Sequence, residues 1–220
     1  MNSSLTTRLL VLGLLGMTAL LLLRRADALL APAETDDDAT EPQEEEPAPA
    51  AATVADPAPS TTLELSSPSF GANAPIPRQH SAYGEGVSPA LSWTPVDGAK
   101  TYLLLMEDPD APTAAPFVHW LAWNIPGEMH QLPQGLQKQT YPEGTEGLLQ
   151  GRNGDGSVGY FGPRPPAGDP PHHYHLRLLA LDTVLSLPAS TTREALLQAT
   201  LGHVLAHGEL VGTFEQPSGE

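Results

Sequence analysis

Asp108-Pro109-Asp110-Ala111-Pro112, followed by His119-Trp120 and Asn124-Ile125-Pro126, is the first of two stretches that decide the fold. The second is Gly159-Tyr160-Phe161-Gly162-Pro163-Arg164-Pro165-Pro166, followed by His172-His173-Tyr174-His175. In each, a Pro-rich loop runs into an apolar strand, and the polar residues stand at the junction. That is where a rigid scaffold presents binding groups. Residues two apart on a strand share a face, so His172 and Tyr174 point one way and His173 and His175 the other. By the same count His119 shares a face with Phe117 and Leu121. If the strand carrying His119 lies beside the strand carrying His172, two imidazoles and one phenol converge near Asp108. The competing reading is a set of polar residues that merely satisfy strand ends.

Outward from these stretches the pattern stays β-rich. Leu63-Glu64-Leu65 alternates like a strand, and Leu91-Ser92-Trp93 reads as a short one ended by Pro95 and Asp97-Gly98. Residues 101–107 form a buried strand that delivers Asp108, residues 117–125 another, and residues 173–182 a third. Ser190-Thr191-Thr192 caps a helix beginning near Arg193. Leu196, Leu197, Leu201, Val204 and Leu205 recur at helical spacing, and Gly208 stops the helix. Residues 209–214 read as a final strand. With 24 prolines and few helical windows, the domain is mainly β with a late helix.

The chain before this domain has a different character. Residues 9–23 are an apolar run flanked by Arg8 and Arg24-Arg25. A helix of that length spans roughly 22 Å, short of a hydrocarbon core of about 30 Å. It suits a signal-peptide core with Ala26-Asp27-Ala28 as cleavage site, while the arginine pair fits an uncleaved anchor. Residues 1–28 are therefore a signal peptide or membrane anchor. Residues 29–62, rich in Ala, Pro, Thr and acids, form a disordered linker that cannot bury enough apolar area to offset its ordering entropy. The folded domain covers residues 63–216. It is expected outside the inner membrane, as a periplasmic, anchored or secreted protein.

Composition excludes several functions. A formal charge of −16 argues against nucleic acid, because phosphate contacts need clustered Lys and Arg. With no cysteine there is no disulfide, thiolate nucleophile or Cys-ligated zinc. His172-His173-x-His175 could be a metal tract, but alternation splits it over two faces. Ser, His and Asp are present without a G-x-S-x-G elbow. A carboxylate beside imidazoles favours their protonated form, so His119 or His172 plus loop N–H groups would bind an anion. Its affinity would fall as pH rises. A cis bond at Ala111-Pro112 or Ala115-Pro116 is expected, to aim Asp108 and His119 together.

The two signature stretches resemble those of the phosphatidylethanolamine-binding protein family, in its bacterial Raf kinase inhibitor-like branch. Ser88-Pro89-Ala90-Leu91-Ser92-Trp93 is similar to that branch's S-P-x-L-x-W strand. Gly202-His203-Val204-Leu205-Ala206 and Glu209-Leu210-Val211-Gly212-Thr213 resemble its C-terminal segment. The resemblance implies a central antiparallel sheet packed with a smaller sheet, peripheral helices, and a small pocket for phosphate-like anions or phospholipid head groups. In that pocket Asp108 would be the carboxylate, His119 and His172 the imidazoles, Tyr174 a wall phenol and Gly162 part of the phosphate-cradling loop. It implies a binding module without cofactor rather than an enzyme. The alternative is an inhibitor of a kinase or protease acting through the pocket rim. Two departures bear on the ligand: Ala114 and Ala115 stand near where animal members carry a pocket tyrosine, and Arg164 replaces a small residue or Cys. Arg164 either forks onto the anion or pairs with an acid such as Asp169.

Overall fold

The computed structural model describes residues 61–219. The expected signal or anchor at residues 1–28, and the expected linker up to residue 60, lie outside the described residues. Among the described residues no helix is long and apolar enough to cross a membrane.

In chain order the strands are β1 (Leu65–Ser66), β2 (Ala74–Pro75), β3 (Leu91–Trp93), β4 (Thr101–Asp108), β5 (Phe117–Pro126), β6 (Gln131–Leu132), β7 (Leu149–Gln150) and β8 (His172–Leu181). Helix α1 (Arg193–Thr200) and strand β9 (Val204–Phe214) complete the domain. Six strands form the main sheet in the order β2-β9-β8-β4-β5-β7, and three form a small one in the order β1-β3-β6. The long strands β4, β5, β8 and β9 pair antiparallel, and only the short β2 runs parallel to its neighbour β9. The expected mainly β architecture of two sheets with one C-terminal helix is the one observed.

Strand β4 explains the layering. All eight of its residues are buried, which a sheet covered on both faces requires. On one face Tyr102, Leu104 and Met106 pack with Trp120, Ala122, Tyr174 and Leu176, and with Leu65, Leu91, Trp93 and Leu132 of the small sheet. On the other, Leu103 and Leu105 pack with Leu121, Trp123, Leu179 and Leu181, and with Leu196 and Leu197 of α1. Burying a large apolar side chain is worth about 1.5–3 kcal/mol, so Trp120 and Trp123, both 0% exposed, brace opposite faces of one strand. Glu107 is the polar exception on the helix-covered face. Its carboxylate is fully buried and accepts from Arg193 Nε, from Arg193 Nη2 at 3.2 Å and from Arg177 Nη2 at 3.0 Å. That ion cluster ties the first turn of α1 to the sheet.

Three expectations need correction. The helix is shorter than its apolar spacing suggested. Thr192 caps it through Ala195 N–H, but it ends at Thr200, and Gly202 at φ 80° turns the chain. Val204 and Leu205 therefore belong to β9, which pairs with β8 along almost its whole length. Long-range pairing overrides local periodicity here. No peptide bond among the described residues is cis. Loop 109–116 is long enough to turn through ordinary bonds, with Thr113 N–H on the Ala111 carbonyl at 2.7 Å and Thr113 Oγ1–H on the Ala115 carbonyl at 2.6 Å. The third correction concerns His119, where β5 carries a bulge.

Candidate functional site

The site begins with a register shift. Opposite β4, Met106 pairs with Trp120 and Glu107 with Val118, which leaves His119 as an extra residue on β5. A bulge of this kind re-aims a side chain. Trp120 and Ala122 stay on the face of Met106, and Leu121 stays on the opposite face. His119 departs from simple alternation with Leu121. Its ring packs on Tyr174 at 5.1 Å between centroids, edge-on, and on Phe117 at 4.9 Å. The expectation that His119 shares a face with Phe117 holds, and the one for Leu121 fails because of the bulge.

Asp108 ends β4, and His172 begins β8. Their side chains meet, with His172 Nδ1–H on Asp108 Oδ2 at 2.8 Å. The other carboxylate oxygen, Oδ1, accepts the Asp110 N–H at 2.9 Å. Both side chains are nearly sealed, Asp108 at 3% and His172 at 5% exposure. Asp169 approaches the other side of the imidazole, 3.8 Å from His172 Nε2.

The second wall is the loop at residues 159–166, which docks along β5. Phe161 N–H donates to the His119 carbonyl at 2.9 Å, and His119 Nδ1–H returns a bond to the Phe161 carbonyl at 2.8 Å. From behind, a segment about eighty residues earlier clamps the same loop. Tyr160 Oη–H donates to the His80 carbonyl at 2.7 Å, Ala82 N–H to Pro163 at 2.9 Å and Tyr83 Oη–H to Pro165 at 2.7 Å. The backbones come so close that a Cβ on Gly162 would fall 2.3 Å from the His80 carbonyl oxygen. Glycine at 162 thus serves the packing of this loop.

A cavity of about 280 Å³ opens between these parts. Asp108, His119, Arg164 and His172 line it, together with Ala111, Pro112, Thr113, Phe117, Asp155, Phe161 and Pro166. Four of the six site residues singled out in the sequence thus share one cavity. Tyr174 lies behind the cavity lining, fully buried against His119. Gly162 shapes the wall from outside it. Sequence reasoning missed Phe117, Phe161 and Asp155 as wall residues. The aromatics flank named motif residues and could have been found. Asp155 arrives by a hairpin at residues 152–158, closed by Asn153 N–H on the Ser157 carbonyl at 2.9 Å, which no local pattern ties to the cavity.

The electrostatics differ from the expectation in one respect. Burial holds the His119 imidazole below its ordinary value of 6.5, outweighing its bond to the Phe161 carbonyl and the attraction of Asp108. His119 is therefore uncharged at neutral pH, and its Nδ1–H is spent on a carbonyl. Burial also pushes the Tyr174 phenol up, with the Asp108 carboxylate adding to the shift, so the phenol keeps its proton. The Tyr174 hydroxyl completes no hydrogen bond of good geometry, though the Asp108 carboxylate and the Arg164 backbone N–H both act on it. Arg164 makes no ion pair with Asp169 or any other acid among the described residues, and it is an exposed residue of the cavity lining. Among the described residues no group of three or more His, Asp or Glu side chains could hold a metal ion.

Known proteins similar to this chain are numerous. A UPF0098 protein of Pyrococcus abyssi is 42% identical over 148 residues, covering 67% of this chain and 82% of its own length. A phosphatidylethanolamine-binding protein homologue of Chlamydia trachomatis, known from its crystal structure, is 36% identical with a TM-score of 0.63, over 71% of this chain and 99% of its own. The Escherichia coli protein YbcL, described as a new member of the mammalian family, superposes with a TM-score of 0.66 at 28% identity, over 70% of this chain and 99% of its own. Residues 66–215 match the family description itself. That span holds both sheets except Leu65, the His119 bulge and every residue of the cavity, and the chain belongs to the phosphatidylethanolamine-binding protein family.

Proposed function

We propose that this domain is a binding module for phosphate-bearing ligands and not an enzyme. The observation that carries the reading is the cavity at the sheet end, where Arg164, His119 and the Asp108–His172 pair meet. Arg164 supplies the charge: a guanidinium at a cavity wall forks onto phosphate oxygens, and each charge-assisted bond is worth about 1.5–3 kcal/mol. Asp108 orients the His172 imidazole at the cavity wall, with Asp169 3.8 Å from its second nitrogen. Phe117 and Phe161 exclude water from one side and strengthen these contacts. Binding fits the site better than turnover, since its polar groups are committed to holding one another in place. Residues 1–28 would deliver the domain to the far side of a membrane, with the acidic linker as spacer.

Calorimetric titration of the full chain with inorganic phosphate and with phosphoethanolamine tests the proposal. Saturable binding that weakens about tenfold in Arg164→Ala supports it. Absence of heat with both ligands overturns it.

A further inference from the structure

The ladder between β4 and β8 ends at the pair Glu107–His175, so the first residues of β8 have no β4 partner. There a side chain takes over the role of a strand carbonyl. Asp110 Oδ2 accepts the His173 N–H at 2.8 Å and the His173 Nδ1–H, also at 2.8 Å. The Asp110 N–H donates in turn to Asp108 Oδ1 at 2.9 Å. Asp110 is thus held by both its main chain and its side chain. The rest of the connection 109–116 has little else to hold it. Three of its eight residues are prolines and three are alanines, and a proline has no N–H to donate. Both bonds of Thr113 stay inside the loop, one with Ala111 and one with Ala115. Among the described residues, every hydrogen bond from this loop to the rest of the domain runs through Asp110. Residues 112–116 are exposed, yet Ala111, Pro112 and Thr113 form one wall of the cavity.

We infer that Asp110 is a positioning residue for the cavity: its bonds to His173 hold the wall of Ala111, Pro112 and Thr113 in place, and so set how tightly the cavity retains a phosphate group. Asp110 itself is not part of the lining. The fold loses little when this contact opens, because both side chains are about half in solvent. The wall loses its anchor. A molecule whose wall has swung away binds poorly, so the apparent affinity falls in proportion to the fraction that keeps the wall closed. Coulomb's law predicts the opposite sign. Asp110 places a negative charge beside an anion site, and its removal on charge grounds alone would tighten binding. The sign of the change therefore separates positioning from charge.

This inference rests on the phosphate-binding reading, and the two fail in different ways. Inorganic phosphate is titrated into the full chain at pH 7 and fixed ionic strength. Asp110→Ala should weaken binding about threefold. Asp110→Asn, which removes the charge but keeps an oxygen for the His173 N–H, should recover part of the loss. His173→Ala deletes one of the two donors and should weaken binding less than Asp110→Ala does. Added to Asp110→Ala it should change nothing further, since both act through one contact. Hydrogen exchange without ligand is the second arm. Amides 113–115 should exchange faster in Asp110→Ala while those of β4 keep their wild-type rates, which also shows that the variant is folded. Phosphate binding that is unchanged or tighter in Asp110→Ala overturns the inference and leaves the phosphate site standing. Unchanged exchange in the loop does the same. Absence of binding by the wild type overturns both.

Discussion

Asp108–His172 and Asp110–His173 are the same pair of residue types, shifted along the chain by two and one residues, and both meet at 2.8 Å. One lies inside the cavity wall and the other in solvent. The side chains of the inner pair are 6% and 4% exposed for His172 and Asp108; those of the outer pair are 51% and 43% for His173 and Asp110. A one-residue step along β8 changes face, and that step alone separates the environments. Inside, loss of one partner strands the other in low dielectric. Outside, water and salt replace either partner at little cost. Identical contact geometry therefore says little about energetic weight; the surroundings decide it.

The comparison is most easily broken at Asp108. Asp108→Ala leaves His172 Nδ1–H and the Asp110 N–H without acceptors, and should cost about 3 kcal/mol in urea denaturation. Asp110→Ala should cost less than about 1 kcal/mol in the same assay. Equal losses would mean that burial does not separate the pairs. Gly162→Ala comes next. Its Cβ must push the His80 carbonyl away, at about 1–3 kcal/mol, and should weaken phosphate binding because the Phe161 carbonyl that fixes His119 moves with the loop. Stability lost with unchanged affinity would uncouple loop packing from the site.

Arg164→Ala tests charge without burial. Stability should stay within about 0.5 kcal/mol, while the phosphate dissociation constant rises about tenfold, or roughly 1.4 kcal/mol. A change below twofold would make Arg164 a surface charge. The smallest expected effect is the pH response of the outer pair. His173 holds the Asp110 carboxyl below its ordinary 3.8, by the side-chain bond first and its backbone N–H second. A depressed carboxyl stabilises the fold above its ordinary value, and that contribution is lost as pH falls through the lower folded-state value. Asp110→Asn should therefore narrow the stability difference between pH 5 and pH 2.5 by less than about 1 kcal/mol. No difference at all would mean that the outer contact contributes nothing.

Much of the fold was legible because the signals were local. The span Leu91–Trp93, the buried run ending at Asp108 and the alternation of His172 to His175 all follow from side-chain period and turn chemistry. The Thr192 cap was equally readable. What escaped depended on distant partners. The bulge at His119 exists only relative to Met106 and Glu107 on the neighbouring strand. Val204 and Leu205 look helical until β8 offers them a ladder. Glu107 reads as one polar residue in an apolar run, and only the fold brings Arg177 and Arg193 to it. In the site, the residue types at the two junctions were legible, whereas the uncharged state of His119 was not. It follows from burial among three aromatic rings that the sequence scatters over residues 117–174, which outweighs the pull of the Phe161 carbonyl toward the charged form.

The clamp of Tyr160, Pro163 and Pro165 onto His80, Ala82 and Tyr83 has a consequence for the order in which the molecule assembles. Closing a connection of some eighty residues is entropically costly and slow compared with pairing adjacent strands. During synthesis, residues 78–83 emerge long before the loop they must hold, and β4 and β5 can pair while that loop is still absent. Such an intermediate has a sheet but no cavity. Ligand binding then appears only in the last step of folding, so phosphate added to a refolding reaction should slow unfolding and leave the rate of folding unchanged.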